Sequence, residues 1–202
     1  MKAKLFNLYL TFLLVSVWVA CEPARQPQAA AGPIDNDSLL IKYRQEGKLI
    51  AAESFKALSK ALLTAIDSGG VSHALQFCNL QAIPLTDSMA RLYGAEVRRV
   101  SNKNRNPANK ASEDDLEIMT MMQQAIEKSK LPSDTIFDDK TGNLIYAAPI
   151  VIAPPCLRCH GMPENEIAAG DLQLIRSLYP DDKAVDYQTG MLRGIWKITF
   201  KR

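Results

Sequence analysis

Apolar positions in this sequence recur first at the spacing of helices and later at the alternation of strands. Ala51, Phe55, Leu58, Leu62 and Ile66 follow at steps of three and four, with Lys and Glu on the other faces. That stripe predicts a long amphipathic helix that begins at Asp37, a good N-cap, and runs to Asp67-Ser68-Gly69-Gly70, where the glycine pair stops it. A second helix is expected over 71–80, with Ala74, Leu75 and Cys78 on one side, and Pro84 separates it from a further helical stretch that ends near Gly94. The pattern then changes. Residues 95–100 alternate enough for a strand, and Ser112 caps a helix over 113–128. Residues 135–137 and 144–152 flank the turn-forming Asp138-Asp139-Lys140-Thr141-Gly142, as in a hairpin. A helix over 164–178 and a last strand over 194–200 complete the series. Helices first and hairpins afterwards predict an α+β fold with an antiparallel sheet, a long N-terminal helix and flanking helices.

The first residues belong to a different class. Lys2 and Lys4 precede a mostly apolar stretch from Leu5 to Ala20, and Val19-Ala20-Cys21 is similar to the cleavage site of bacterial lipoproteins, although Trp18 stands where an aliphatic residue is usual. The stretch is about 16 residues long, short for a membrane span of roughly 20. We therefore read residues 1–20 as a lipoprotein signal peptide and Cys21 as the lipidated residue. Residues 21–37, rich in Pro and Ala, read as a flexible tether, and 38–202 as one domain. The expected location is exported, on the periplasmic or cell-surface side, tied to a membrane by the lipid. Charge adds little: of 24 Lys and Arg against 22 Asp and Glu, Lys2 and Lys4 lie in the leader, which leaves 22 against 22. That balance gives no electrostatic case for nucleic acid.

The chemistry is concentrated in Cys156-Leu157-Arg158-Cys159-His160. Two thiols separated by two residues and followed by an imidazole are the attachment run of haem c, in which Cys156 and Cys159 form thioethers and His160 becomes an axial ligand to iron. Covalent attachment of this kind is completed outside the cytoplasm, so leader and motif ask for the same compartment. Two other readings stand beside it. Four cysteines in an exported chain could form disulfides, and Cys78, Cys156, Cys159 and His160 could form a Cys3His zinc site. The second axial position has several candidates: Cys78, His73, Met191 and, less suitably because it follows His160 so closely, Met162. The basic loop 98–107 reads either as a solvated turn or as the place where Arg105, with its planar fork, pairs with a haem propionate.

Several of these segments together resemble a family of PAS-like c-type haem domains of unknown function. The matching residues are Ala74-Leu75-Gln76-Phe77-Cys78, Ser101-x-Lys103-x-Arg105-Asn106-Pro107-x-Asn109 with the acidic helix after it, and Cys156-Leu157-Arg158-Cys159-His160-Gly161. Tyr179-Pro180-Asp181-Asp182-x-Ala184 and Gly190-x-x-x-Gly194-x-x-x-Ile198 follow in the same order. The resemblance covers roughly residues 40–200. It implies a PAS-like antiparallel sheet with a long N-terminal helix, and a haem held by His and, unusually, by Cys, which makes Cys78 the second axial ligand.

The functional expectation is electron transfer by an exported haem c protein, with redox or small-gas sensing as the alternative. Within 202 residues we find no kinase, methyl-accepting or DNA-binding module, so a sensor would signal through a separate partner, and the redox or signalling partner is not specified by the sequence. Two protein ligands close the iron to substrate, and no Ser-His-Asp set, phosphate loop or carboxylate pair stands at suggestive spacing, so enzymatic activity is not expected; peroxidase activity would need Cys78 to leave.

Overall fold

The computed structural model describes residues 36–139 and 141–201, so the leader, Cys21 and the tether lie outside the described residues. Its elements are α1 (Asn36–Tyr93), β1 (Glu96–Val100), α2 (Glu113–Glu127), β2 (Thr135–Asp138), β3 (Leu144–Val151), α3 (Leu157–His160), α4 (Ala169–Leu178) and β4 (Leu192–Phe200). The strands form one antiparallel sheet in the order β1-β4-β3-β2. The predicted α+β class with its long N-terminal helix is borne out.

Strand alternation divides the core in two. Leu144 and Tyr146 of β3 and Trp196, Ile198 and Phe200 of β4 face α1, where Ile50 and Ala51 meet them. Ala147 and Ile195 face the other way, onto Ile118, Met119 and Met122 of α2. A side-chain period of two therefore gives both sheet faces a helical cover, which is why β3 reads as a nearly continuous apolar run.

The predicted stripe of α1 is right in part: Ala51 and Leu58 pack on the sheet core, but the packed face is centred on other residues. Small residues let the helix approach the sheet closely: Gly47 is buried, and a Cβ there would collide with the Tyr146 ring. Ile50, Ala51 and Ser54 lie on that side and are almost inaccessible. Phe55, expected in the core, is 59% exposed. Side-chain size, not hydrophobicity alone, decides which face packs.

The glycine pair ends the first limb of α1 as expected: Gly69 and Gly70 both leave helical geometry, Gly70 adopts φ 73° and ψ −168°, a conformation open essentially to glycine, and a second limb starts at Val71. Other boundaries differ from expectation. Pro84 does not divide the second limb, which continues to Tyr93. The missing N–H deprives one carbonyl of its partner, and the packing of the limb against β1 and α4 outweighs that loss. Residues 164–168 remain in turns, so α4 begins at Ala169, and β4 begins at Leu192, two residues before the expected start.

Helix α2 is fixed at its start by a reciprocal capping box. Ser112 Oγ accepts from the Asp115 amide at 3.3 Å, and the Asp115 carboxylate accepts from the Ser112 amide at 3.0 Å. Lys197 Nζ of β4 donates to the same carboxylate at 2.7 Å. Burial alone pushes the Asp115 carboxyl up, but the Lys197 and Ser112 hydrogen bonds outweigh it and the net displacement is downward. A depressed folded pKa contributes stability above the unfolded value of about 3.9, and that contribution is lost as pH falls through the lower folded value. We expect Asp115→Asn to destabilise the domain by about 1–3 kcal/mol at neutral pH. Denaturant unfolding at pH 7 and pH 3 checks this; the gap between native and variant chains narrows at the lower pH.

Candidate functional site

After β3, Pro154-Pro155 turns the chain into a short 3-10 helix (Pro154–Cys156) that leads directly into α3. This single turn carries Cys156, Cys159 and His160, and Gly161 ends it. A Cβ on Gly161 would meet the Glu166 side chain and the Leu157 carbonyl, so the turn leaves no room for a larger residue. Both cysteines are free thiols, but they pack differently. Cys156 lies against Ile152, Ala184 and Tyr187. Cys159 lies against the cluster where the second limb of α1, through Val71 and Leu75, meets Leu172 and Ile175 of α4. Ser72 of that limb donates to Asp171 of α4 at 2.7 Å and closes the contact.

The orientation of His160 is set by its own backbone neighbourhood. Nδ1 lies 2.8 Å from the Ala184 carbonyl, which can only accept, so Nδ1 carries the proton and Nε2 keeps its lone pair. Tyr187 N donates to the His160 carbonyl, Asp186 N donates to the Gly161 carbonyl, and the Tyr187 ring meets the imidazole edge-on. Burial, then the positive charges of Arg193 and Arg105, push the imidazole pKa well below its usual range. At neutral pH His160 is therefore an uncharged base with one free nitrogen, the ligating form.

Arg105 ties three segments together. Its Nε and Nη2 donate to the two carboxylate oxygens of Asp182 at 3.1 and 3.0 Å, and Nη2 also reaches the carbonyls of Cys159 at 2.7 Å and Ala184 at 3.2 Å. Asp182 accepts in addition from the Ala184 amide. The basic loop, the Cys156–His160 run and the 179–187 segment are thus locked by one largely buried pair, with side chains 11% and 6% exposed. The sequence placed Arg105 either in a solvated turn or on a propionate; its fork here is engaged by Asp182. Asp182, read as part of a structural turn, is the residue that holds it.

Cys78, on the second limb of α1, lies within electrostatic reach of Arg99, Arg105 and Cys159. Burial raises its thiol pKa, while Arg99 and then Arg105 lower it. Burial likewise pushes Cys159 up to about 11, with Arg105 opposing and Cys78 adding to the rise. Arg105 therefore acts on Cys78, Cys159 and His160 at once, so the three share one electrostatic environment. Arg99 and Arg193 complete it: Arg99 lies over the Trp196 ring, and Arg193 Nη1 donates to Ser101 Oγ and the Lys103 carbonyl. Neither arginine was singled out from sequence. Arg193 falls on an unspecified position of the Gly190-x-x-x-Gly194 motif, and Arg99 looked like any basic residue of a strand next to a loop.

The other candidates lie elsewhere. His73 lines a groove of about 400 Å³ between the two limbs of α1, with Ala57, Ala61 and Phe77. Met162 is half-exposed, and Met191 Sδ accepts the Gln188 amide at 3.2 Å. Among the described residues no three His, Cys, Asp or Glu side chains converge closely enough to hold a metal ion directly, so the Cys3His zinc arrangement is not assembled. A porphyrin asks for something different, with thiols at its periphery and ligands above and below its centre. The donor set fits that demand: two free thiols on one turn, a fixed imidazole with a free nitrogen, a third thiol across the pocket, and surrounding arginines that suit an anionic group.

A family model described as Tll0287-like matches residues 34–200. The crystal structure of the cyanobacterial heme-protein Tll0287 shares the fold, with a TM-score of 0.56, 22% identity, and coverage of 83% of this chain and 98% of that one. Among curated proteins none matches.

The Arg105–Asp182 pair invites a double-mutant cycle. Arg105→Ala and Asp182→Ala should each cost about 3 kcal/mol, because each leaves a buried charge without its partner. The double variant should cost clearly less than the sum, as measured by denaturant unfolding.

Proposed function

The chain belongs to the Tll0287-like family, and from that premise we propose that it is a haem c protein, attached through Cys156 and Cys159 and ligated by His160 and Cys78, that serves in electron transfer. The observation that carries this reading is the His160 Nδ1–Ala184 bond, which leaves Nε2 of a neutral imidazole free, together with Arg99 and Arg105 acting on both His160 and Cys78. Backbone carbonyls that orient a ligating histidine through its second nitrogen are the usual support of metal-bound imidazole. Haem bound here would supply a one-electron Fe(III)/Fe(II) couple, and a thiolate ligand would favour the ferric state and a low potential.

Everything else is done by the chain. Burial keeps His160 unprotonated, the Arg105–Asp182 lock holds the attachment turn against the 179–187 segment, and Arg99 and Arg105 favour the ionised form of Cys78. Cys156 is partly exposed beside exposed Pro154 and Pro155, so a haem joined there would lie near the surface, which would suit exchange with a partner protein. Export by the leader and lipidation at Cys21 would tether the domain outside the cytoplasm, where attachment is completed.

Redox or small-gas sensing is the second reading, favoured by one feature. Cys78 lies on the same limb as the Gly69-Gly70 bend, so a change at its sulfur could be transmitted along α1. Amide exchange of α1 in ferric, ferrous and CO-treated ferrous protein separates the two roles. Protection that does not change supports the carrier, and a change that spreads past Gly70 supports the sensor.

For the ligation itself, absorption spectra are taken of the native chain and of Cys78→Ala, each matured with haem-attachment machinery. We expect thiolate-type ferric bands in the native chain and their loss in the variant, with haem still covalently bound in both. An unchanged spectrum would assign the axial position to another residue, and a chain that matures without haem would overturn the haem reading as a whole.

A further inference from the structure

Residues 184–187 do more than offer one carbonyl to His160. The Ala184 carbonyl accepts from Nδ1 at 2.8 Å, Asp186 N donates to the Gly161 carbonyl at 3.0 Å, and Tyr187 N donates to the His160 carbonyl at 3.0 Å. The Tyr187 ring stands edge-on to the imidazole, with centroids 6.3 Å apart and planes at 85°. Consecutive amides thus meet consecutive carbonyls, and Asp186 takes part with φ 62°, in the left-handed region that residues other than glycine rarely enter. Backbone strain of this kind persists where surrounding contacts over-determine it, and it gathers at functional sites.

The Tyr187 ring is itself held. It is 4% exposed. Lys103 Nζ lies 4.5 Å from its centroid and Arg193 Cζ 5.4 Å, both within the range of a cation–π contact. Lys103 Nζ is anchored by the Val185 carbonyl, and Arg193 Nη1 by Ser101 Oγ at 2.8 Å and the Lys103 carbonyl at 3.0 Å. The apolar cluster to which the ring belongs also carries Cys156 on its edge. One aromatic side chain therefore lies beside both the imidazole and an attachment thiol, and cations from two distant segments keep it in place.

A single hydrogen bond does not fix an imidazole plane. It tolerates roughly 30° of misalignment, so the ring could rock about its bond to Cβ while Nδ1 stays within reach of Ala184. An aromatic edge packed across the ring removes that freedom, and edge-to-face pairs at this separation are favourable in themselves. We propose that Tyr187, clamped by Lys103 and Arg193, is the positioning residue that fixes the plane of His160, and so the orientation of this axial ligand on the haem. That role rests on the proposal that haem is attached here. Contacts behind a metal-bound imidazole commonly set its orientation. The plane of an axial imidazole orients the half-filled iron orbital of ferric haem, and the haem methyl groups report that orientation through the unpaired spin they receive.

Proton NMR of the ferric protein, matured with haem-attachment machinery, reads those methyl resonances directly. Tyr187→Leu and Lys103→Met should each change their spacing, the first by more, with haem still covalently bound. Tyr187→Phe keeps the ring and loses only a 3.5 Å contact from Oη to the Arg193 carbonyl, so it should keep the native pattern. Denaturant unfolding of the same samples separates orientation from packing, because a role in packing alone lowers stability and leaves the pattern native. An unchanged pattern in either Tyr187→Leu or Lys103→Met overturns the proposal, as does a Tyr187→Phe pattern that departs as far as that of Tyr187→Leu. If Tyr187→Leu does not fold, Lys103→Met decides alone. A native chain that matures without haem overturns the haem reading and this role with it; every other outcome leaves that reading standing.

Discussion

The attachment turn is held in place by Arg105. Its guanidinium spans Asp182, the Cys159 carbonyl and the Ala184 carbonyl, and Ala184 in turn fixes the imidazole of His160. A four-residue helical turn has little stability of its own, since it makes too few internal hydrogen bonds to offset its ordering. The rigidity of the site therefore comes from side-chain links to segments far away in sequence, and the sheet's role is to bring β1, the basic loop and β4 to one place. A buried pair is not a strong source of net stability. Its value here is geometric, because a planar fork can satisfy three segments at once in only one arrangement.

The same residues set the charge of the pocket. Arg99, Arg105 and Arg193 all act on His160, and Asp182 is the carboxylate engaged by Arg105. Burial alone would keep both Cys78 and Cys159 as neutral thiols; the arginines act in the opposite direction. Such a pocket resists protonating an imidazole and tolerates negative charge. That is the electrostatic profile suited to a neutral nitrogen ligand, a thiolate and a carboxylate-bearing group held together.

Much of this was legible in the sequence. The Cys156–His160 run is recognisable without tertiary context, and the capped helix after Ser112 and the hairpin around Gly142 are specified by local rules that the fold leaves intact. Where the reading failed, size and long-range contact prevailed over periodicity. The apolar stripe of α1 runs through Ala51 and Leu58, which pack as predicted, and through Phe55, which does not: Gly47 lets the helix sit close to Tyr146, and Phe55 is left in solvent. Pro84 looked like a break, but tertiary packing carries the helix through it, whereas the glycine pair does interrupt helical geometry as its sequence suggests. Arg99 was legible only as one member of the basic loop 98–107, and Arg193 carried no local signal. Their role exists only once β1 and β4 pair and the second limb of α1 lies across them.

The central proposal is that His160 Nε2 and Cys78 Sγ would ligate one haem iron. Iron X-ray absorption on the ferric, fully matured protein measures that coordination directly. The account predicts five nitrogen scatterers and one sulfur at bonding distance. Six nitrogens, or a sulfur signal that persists in a chain lacking Cys78, would contradict it.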